Sequence, residues 1–125
     1  MVGSVDYFQE QFGAFNVAVA KRQPGSSFKP LVYAASFKEK YNPAYNLFDL
    51  KTDFGNYTPN NYNGSFSGPV SIRKALGNSL NIPAVKILSL VGIDKSLKTA
   101  ADMGITTLTD KDRYGLSLVL GGGEV

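Results

Sequence analysis

The chain has 125 residues, 43% of them apolar, enough to build one core and too few for a second independent domain. It contains no Cys and no His, which excludes disulfides, thiol chemistry, a Cys/His zinc site and a histidine-based triad; no metal or cofactor is expected, and a general base near neutral pH has to be a carboxylate or a Lys with a lowered pKa. Thirteen basic against ten acidic residues give a net charge of +3, with no basic run longer than Lys21-Arg22 or Arg73-Lys74, so nucleic acid is not an expected partner.

The first twenty residues mix short apolar alternation with amide and Gly residues, and the run Phe15 to Val19 is expected to be extended. Lys21-Arg22-Gln23-Pro24-Gly25 reads as a turn, and Ser26-Ser27 after it as a helix start. Leu31, Val32, Ala35 and Phe37 recur near helical spacing, which predicts a helix over 27–40 that Asn42-Pro43 ends. Residues 42–69, rich in Asn, Tyr, Gly and Pro, form a long loop with room for brief strands; a loop of that length is functional, or packs against something missing.

Ser71 fits an N-cap before Ile72-Arg73-Lys74-Ala75-Leu76, and Gly77-Asn78 weakens that helix. Asn81-Ile82-Pro83 starts another, with Ala84, Val85, Ile87, Leu88 and Val91 as its buried stripe. Asp94 to Met103 reads as one more helix, closed by Gly104, and Leu116 to Leu120 as a short helix or strand before Gly121-Gly122-Gly123. No run of eighteen apolar residues occurs, so no segment reads as a membrane span, and Met1 to Ser4 lacks the features of a secretion signal.

Without His, a serine can be activated by a Lys one helical turn away. Ser26-Ser27-Phe28-Lys29 supplies that spacing for Ser26, whereas three residues after Ser27 comes Pro30, which cannot act as a base. Pro24-Gly25 delivers Ser26 to a helix start, where free backbone N–H groups and the positive dipole end stabilise an oxyanion. The competing reading is that Ser26 or Ser27 caps the helix and Lys29 is solvated. A second match, Ser71-Ile72-Arg73-Lys74, reads as a capping serine followed by an exposed basic turn, and Ser79-Leu80-Asn81 lies in the break between two helices, where both polar side chains can point the same way or Asn81 can simply start a helix.

Taken together, Arg22 to Pro30, Asn61-Tyr62-Asn63-Gly64, Gly68 to Arg73, Asn78 to Lys86, Tyr114 to Leu118 and the final Gly-Gly-Gly-Glu-Val resemble the transpeptidase domain of class A penicillin-binding proteins, in one order over nearly the whole chain. Ser-x-x-Lys with a Ser-x-Asn element and Lys-Thr-Gly is the motif set of the penicillin-binding proteins and related β-lactamases; no Lys-Thr-Gly occurs here.

The resemblance implies a partial α/β penicillin-binding transpeptidase (β-lactamase-like) fold, mostly the helical subdomain with an incomplete antiparallel sheet. Residues 1–125 are then a partial transpeptidase domain lacking the C-terminal strands, with little turnover by itself. The resemblance also implies that Ser26 is the nucleophile, Lys29 its base, Ser79 a proton relay and Asn81 a substrate-binding residue. Peptidoglycan stem peptides would be the substrates, as D-Ala-D-Ala donor and amine acceptor, and β-lactams covalent inhibitors. Localisation outside the cytoplasmic membrane, through an N-terminal anchor beyond this sequence, follows from the family alone. The alternatives are a β-lactamase or D,D-carboxypeptidase relative, a non-catalytic β-lactam or cell-wall sensor, and a helical interaction module with capped serines.

Overall fold

The computed structural model describes residues 4–10, 13–16, 18–55, 57–110 and 113–125. Gly25–Phe28 forms a 3-10 turn that runs directly into helix α1, Lys29–Lys38. Pro30 sits in the first turn of α1, where a missing N–H breaks no helical bond. The helix ends two residues earlier than its apolar spacing predicts. Lys40 takes a left-handed backbone, φ 72°, and Tyr41 N–H and Lys40 N–H reach back to the Ser36 and Phe37 carbonyls, closing the last turn ahead of Pro43.

Two strands follow, β1 at Asn46–Asp49 and β2 at Gly68–Ser71, paired antiparallel with Leu47 opposite Val70 and Asp49 opposite Gly68. The alternation of β1 buries Leu47 and Asp49 and exposes Asn46 and Phe48. Ser71 then caps α2, Ile72–Gly77, its hydroxyl accepting from Lys74 N–H at 3.2 Å, as its sequence context predicts. The second Ser-x-x-Lys match is thus a helix cap, with an exposed Lys74.

Helix α3, Asn81–Val91, is the centre of the fold. Ile82, Pro83, Ala84, Val85, Ile87, Leu88 and Val91 are all buried, and the helix packs on α1, β1, α2, helix α4 (Ile93–Asp102) and the closing 3-10 helix Leu116–Leu120. Phe28, Val32, Tyr33 and Ala35 from the first helical segment meet this face, joined by Leu118 and Val119. Gly104, at φ 100°, ends α4 with Ile105 N–H bonded to the Ala100 carbonyl, the C-terminal closure expected of it. Two surface ion pairs, Lys38 with Asp102 and Lys95 with Glu39, link the C-terminal end of α1 and the residue after it to α4.

The extended run expected at 15–19 is not a strand in its described residues. Asn16 accepts from Ala18 N–H through its side chain at 3.1 Å and from Val19 N–H through its carbonyl at 3.4 Å, a local turn that competes with a sheet ladder; Val17 lies outside the described residues. Among the described residues no helix is long and apolar enough to cross a membrane, and no cluster of acidic side chains is arranged to hold a metal.

Candidate active site

The site is built where three chain turns meet. The first is the Gly25–Phe28 turn. Gly25 has φ 63°, and Gly121, at φ 80°, lies so close that a Cβ on it would fall 2.1 Å from the Gly25 nitrogen. Only glycine at 121 allows this approach. Arg22 and Val125 exchange backbone hydrogen bonds beside it, so residues 121–125 hold the turn from outside. Ser26 lies on this turn with an exposed side chain; its carbonyl accepts from Lys29 N–H. Ser27 donates its hydroxyl to the Pro24 carbonyl at 2.5 Å and so is tied up in the turn.

The second is the break between α2 and α3. Ser79 N–H bonds to the Leu76 carbonyl and Leu80 N–H to that of Ala75, with Ser79 at φ 53°. Ser79 therefore occupies the left-handed position that terminates α2, where glycine is usual. That backbone state turns both the Ser79 carbonyl and its hydroxyl toward α1.

Lys29 joins the two. Although it is a lysine in the first turn of a helix, it is only 1% exposed. Its Nζ donates to Ser79 O at 2.8 Å, Ser79 Oγ at 3.0 Å and Asn81 Oδ1 at 2.7 Å. The solvated Lys29 of the competing reading is thereby replaced by a buried one. Its partners are all neutral oxygens, and among the described residues no carboxylate pairs with it. Burial without a counter-charge penalises the ammonium form, which pulls the Lys29 pKa below its ordinary 10.5. Lys29, Ser79 and Asn81 thus form one cluster. Ser26 stands one helical turn before Lys29, and among the described residues no hydrogen bond links its hydroxyl to Nζ.

The third turn, at Asn60-Asn61, holds residues that motif reasoning left without a role. Asn61 Nδ2 donates to Asp49 Oδ1 at 2.6 Å and to Ser65 O at 2.9 Å, while its Oδ1 accepts from Asn81 N–H at 2.9 Å and Ile82 N–H at 3.2 Å. Asn81 Nδ2 donates to Asn60 O at 2.8 Å. Asp49, fully buried, also accepts from Ser67 N–H at 2.8 Å. Asp49 shares the face of Leu47 once β1 is formed, and a carboxylate on a buried strand face needs partners.

The family model of the penicillin binding protein transpeptidase domain matches residues 1–122. The chain belongs to that family. It is 37% identical to penicillin-binding protein 1C of Escherichia coli (strain K12), over 97% of this chain and 16% of that protein. With penicillin-binding protein 1F of Bacillus subtilis (strain 168) it shares 38% identity, over 98% of this chain and 16% of the relative. The chain therefore spans about 16% of the length of these curated relatives.

Among solved structures, penicillin-binding protein 1A from Haemophilus influenzae superposes with a TM-score of 0.75 at 27% identity, covering 99% of this chain and 19% of the other. The penicillin-binding protein PonA1 from Mycobacterium tuberculosis, solved in complex with penicillin V, gives 0.76 at 23% identity over 88% of this chain and 33% of that one. The fold is thus that of penicillin-binding transpeptidase domains, here helices packed about α3 with, among the described residues, a two-stranded antiparallel sheet.

Proposed function

We propose that this chain carries the acylating half of a peptidoglycan D,D-transpeptidase site, with Ser26 as nucleophile. The observation that carries the reading is the Lys29 amine, buried without a counter-charge and bonded to both Ser79 and Asn81. Neutral Lys29 needs only two N–H donors, which the Ser79 carbonyl and Asn81 Oδ1 accept, leaving its lone pair for a hydroxyl proton.

In the reaction, Ser26 Oγ attacks the carbonyl carbon of the penultimate D-alanine of a stem peptide, and its proton passes to Lys29 Nζ. The bond from that carbonyl to the terminal D-alanine nitrogen breaks; Ser79 passes the proton from Lys29 to the departing amine, and an ester on Ser26 remains. An amine of a neighbouring stem peptide then attacks the ester and releases Ser26, forming the cross-link. Asn81 holds the substrate amide while orienting Lys29. A β-lactam acylates the same oxygen, because its strained amide stands in for the D-Ala-D-Ala bond. The whole protein works on the extracytoplasmic face of a bacterial cell membrane.

The test is covalent labelling by a fluorescent penicillin in the native polypeptide that carries these residues. Labelling is expected at Ser26 and is expected to vanish in Ser26→Ala, while folding stability changes by less than about 0.5 kcal/mol because the side chain is exposed. Persistent labelling of Ser26→Ala would remove the assignment. Label that is released to water faster than to an acceptor amine would point to a hydrolase instead.

A further inference from the structure

Helix α3 begins without a capping side chain of its own, since its N-cap is Leu80. The four positions that such an end leaves without helical N–H bonds can nevertheless be accounted for one by one. Leu80 N–H goes back to the Ala75 carbonyl. Asn81 N–H and Ile82 N–H both go to Asn61 Oδ1, and Pro83 has no N–H to satisfy. The cap of α3 therefore comes from a loop residue twenty positions upstream.

The orientation of the Asn61 amide is forced from its other side. Its two N–H groups face Asp49 Oδ1 and Ser65 O, so a flipped amide would set NH2 against two backbone donors and its oxygen against two acceptors. Asp49 is held in turn by Ser67 N–H and by its place on the buried face of β1. Through the α3 backbone, this chain of bonds ends at Asn81, whose Oδ1 meets Lys29 Nζ at 2.7 Å.

We propose that Asp49 and Asn61 are positioning residues for acylation: the carboxylate sets the amide, the amide seats the first turn of α3, and that turn aims Asn81 at Lys29. The inference rests on the acylation reading above. Neither residue touches the substrate; their effect is on how well Lys29 is aligned, where a small displacement has a large kinetic effect.

The experiment follows penicillin acylation of the native polypeptide over a range of penicillin concentrations. This separates the limiting acylation rate from the half-saturating concentration, and the acylated fraction at saturation counts the competent molecules. Asp49→Asn and Asn61→Asp are each expected to lower the limiting rate about tenfold to a hundredfold, with the half-saturating concentration and the competent fraction nearly unchanged. Combining the two exchanges puts a carboxylate oxygen before the two α3 N–H groups and an amide opposite it but leaves Ser65 O without its donor, and is expected to recover part of the lost rate. If either single variant fails to fold, Asn61→Gln, which keeps the amide but shifts it by one methylene, is expected to show the same loss of rate. Limiting rates equal to wild type, or a loss confined to the competent fraction, would overturn the inference while leaving the acylation reading intact. Wild-type protein that takes no penicillin at Ser26 would overturn both, before any variant is made.

Discussion

Ser79 combines a backbone function with a side-chain function, and two substitutions separate them. At φ 53° a Cβ costs about 1–2 kcal/mol, a strain that glycine relieves, although the freedom glycine gains in the unfolded chain takes back about 0.5–1 kcal/mol. The bond between Lys29 Nζ and Ser79 Oγ at 3.0 Å contributes about 1 kcal/mol net and is lost in either variant. Ser79→Ala, which keeps the strain and loses the bond, is expected about 1 kcal/mol below wild type. Ser79→Gly is expected within about 0.5 kcal/mol of wild type, because relief offsets most of the loss.

In urea unfolding, with a slope of about 2 kcal/mol/M, the alanine variant should therefore unfold about 0.5 M earlier and the glycine variant close to wild type. That order is the reverse of what a helix interior gives, where alanine exceeds glycine. Both variants should lose penicillin acylation, since neither has a hydroxyl to relay the proton. An alanine variant as stable as the glycine variant, or more so, would refute the left-handed placement of residue 79.

Lys29→Met is expected to slow acylation by about 10²–10⁴-fold, the range of a lost general base, read from penicillin labelling rates. It also tests the lowered pKa through pH. The unfolded chain keeps a proton on Lys29 up to the ordinary 10.5, while the folded chain releases it earlier, so in that window the unfolded state binds more protons and wild-type stability gains on the variant as pH rises. A wild-type unfolding midpoint that falls or stays constant relative to that of the variant between neutral pH and pH 10.5 would contradict the burial argument. Lys40→Gly, at a left-handed position with φ 72°, should stabilise the fold by about 0.5–1 kcal/mol in the same assay. Gly121→Ala should cost more than about 2 kcal/mol, because its Cβ meets the Gly25 backbone, and should lower acylation at Ser26; wild-type behaviour on both counts would discredit that contact.

Much of the scaffold was legible because single residues carry its physics. The Ser71 cap, the buried stripe of α3 and the closure of α4 at Gly104 follow from side-chain chemistry within one turn, and the structure has all three. Lys29, Ser79 and Asn81 were each singled out by spacing, and the structure brings them together. What was not legible depends on partners distant in the chain. Gly77-Asn78 weakens α2, and the helix does end at Gly77, yet no glycine marks the left-handed backbone at Ser79, where the carbonyl and hydroxyl meet Lys29. The helix α1 pattern runs past Lys38 because Tyr41 packs on the core without being helical. The strand β1 is four residues long, too short for its alternation to stand out, so Asp49 was lost inside a loop. Asn61 resembles any turn asparagine until the α3 N–H groups are seen in front of it.

The close approach of Gly121 to Gly25 joins the two ends of nearly the whole described chain, and this orders events during folding. With the Arg22–Val125 and Gln23–Gly122 bonds it closes the widest loops near the site, each costing more entropy than the closure between Lys29 and Ser79, so helices α1, α3 and α4 can assemble before it forms. The turn bearing the nucleophile depends on Leu116 to Leu120, which packs both on α3 and on that turn. A nascent polypeptide would accordingly hold a buried, ready amine well before it holds a correctly shaped serine.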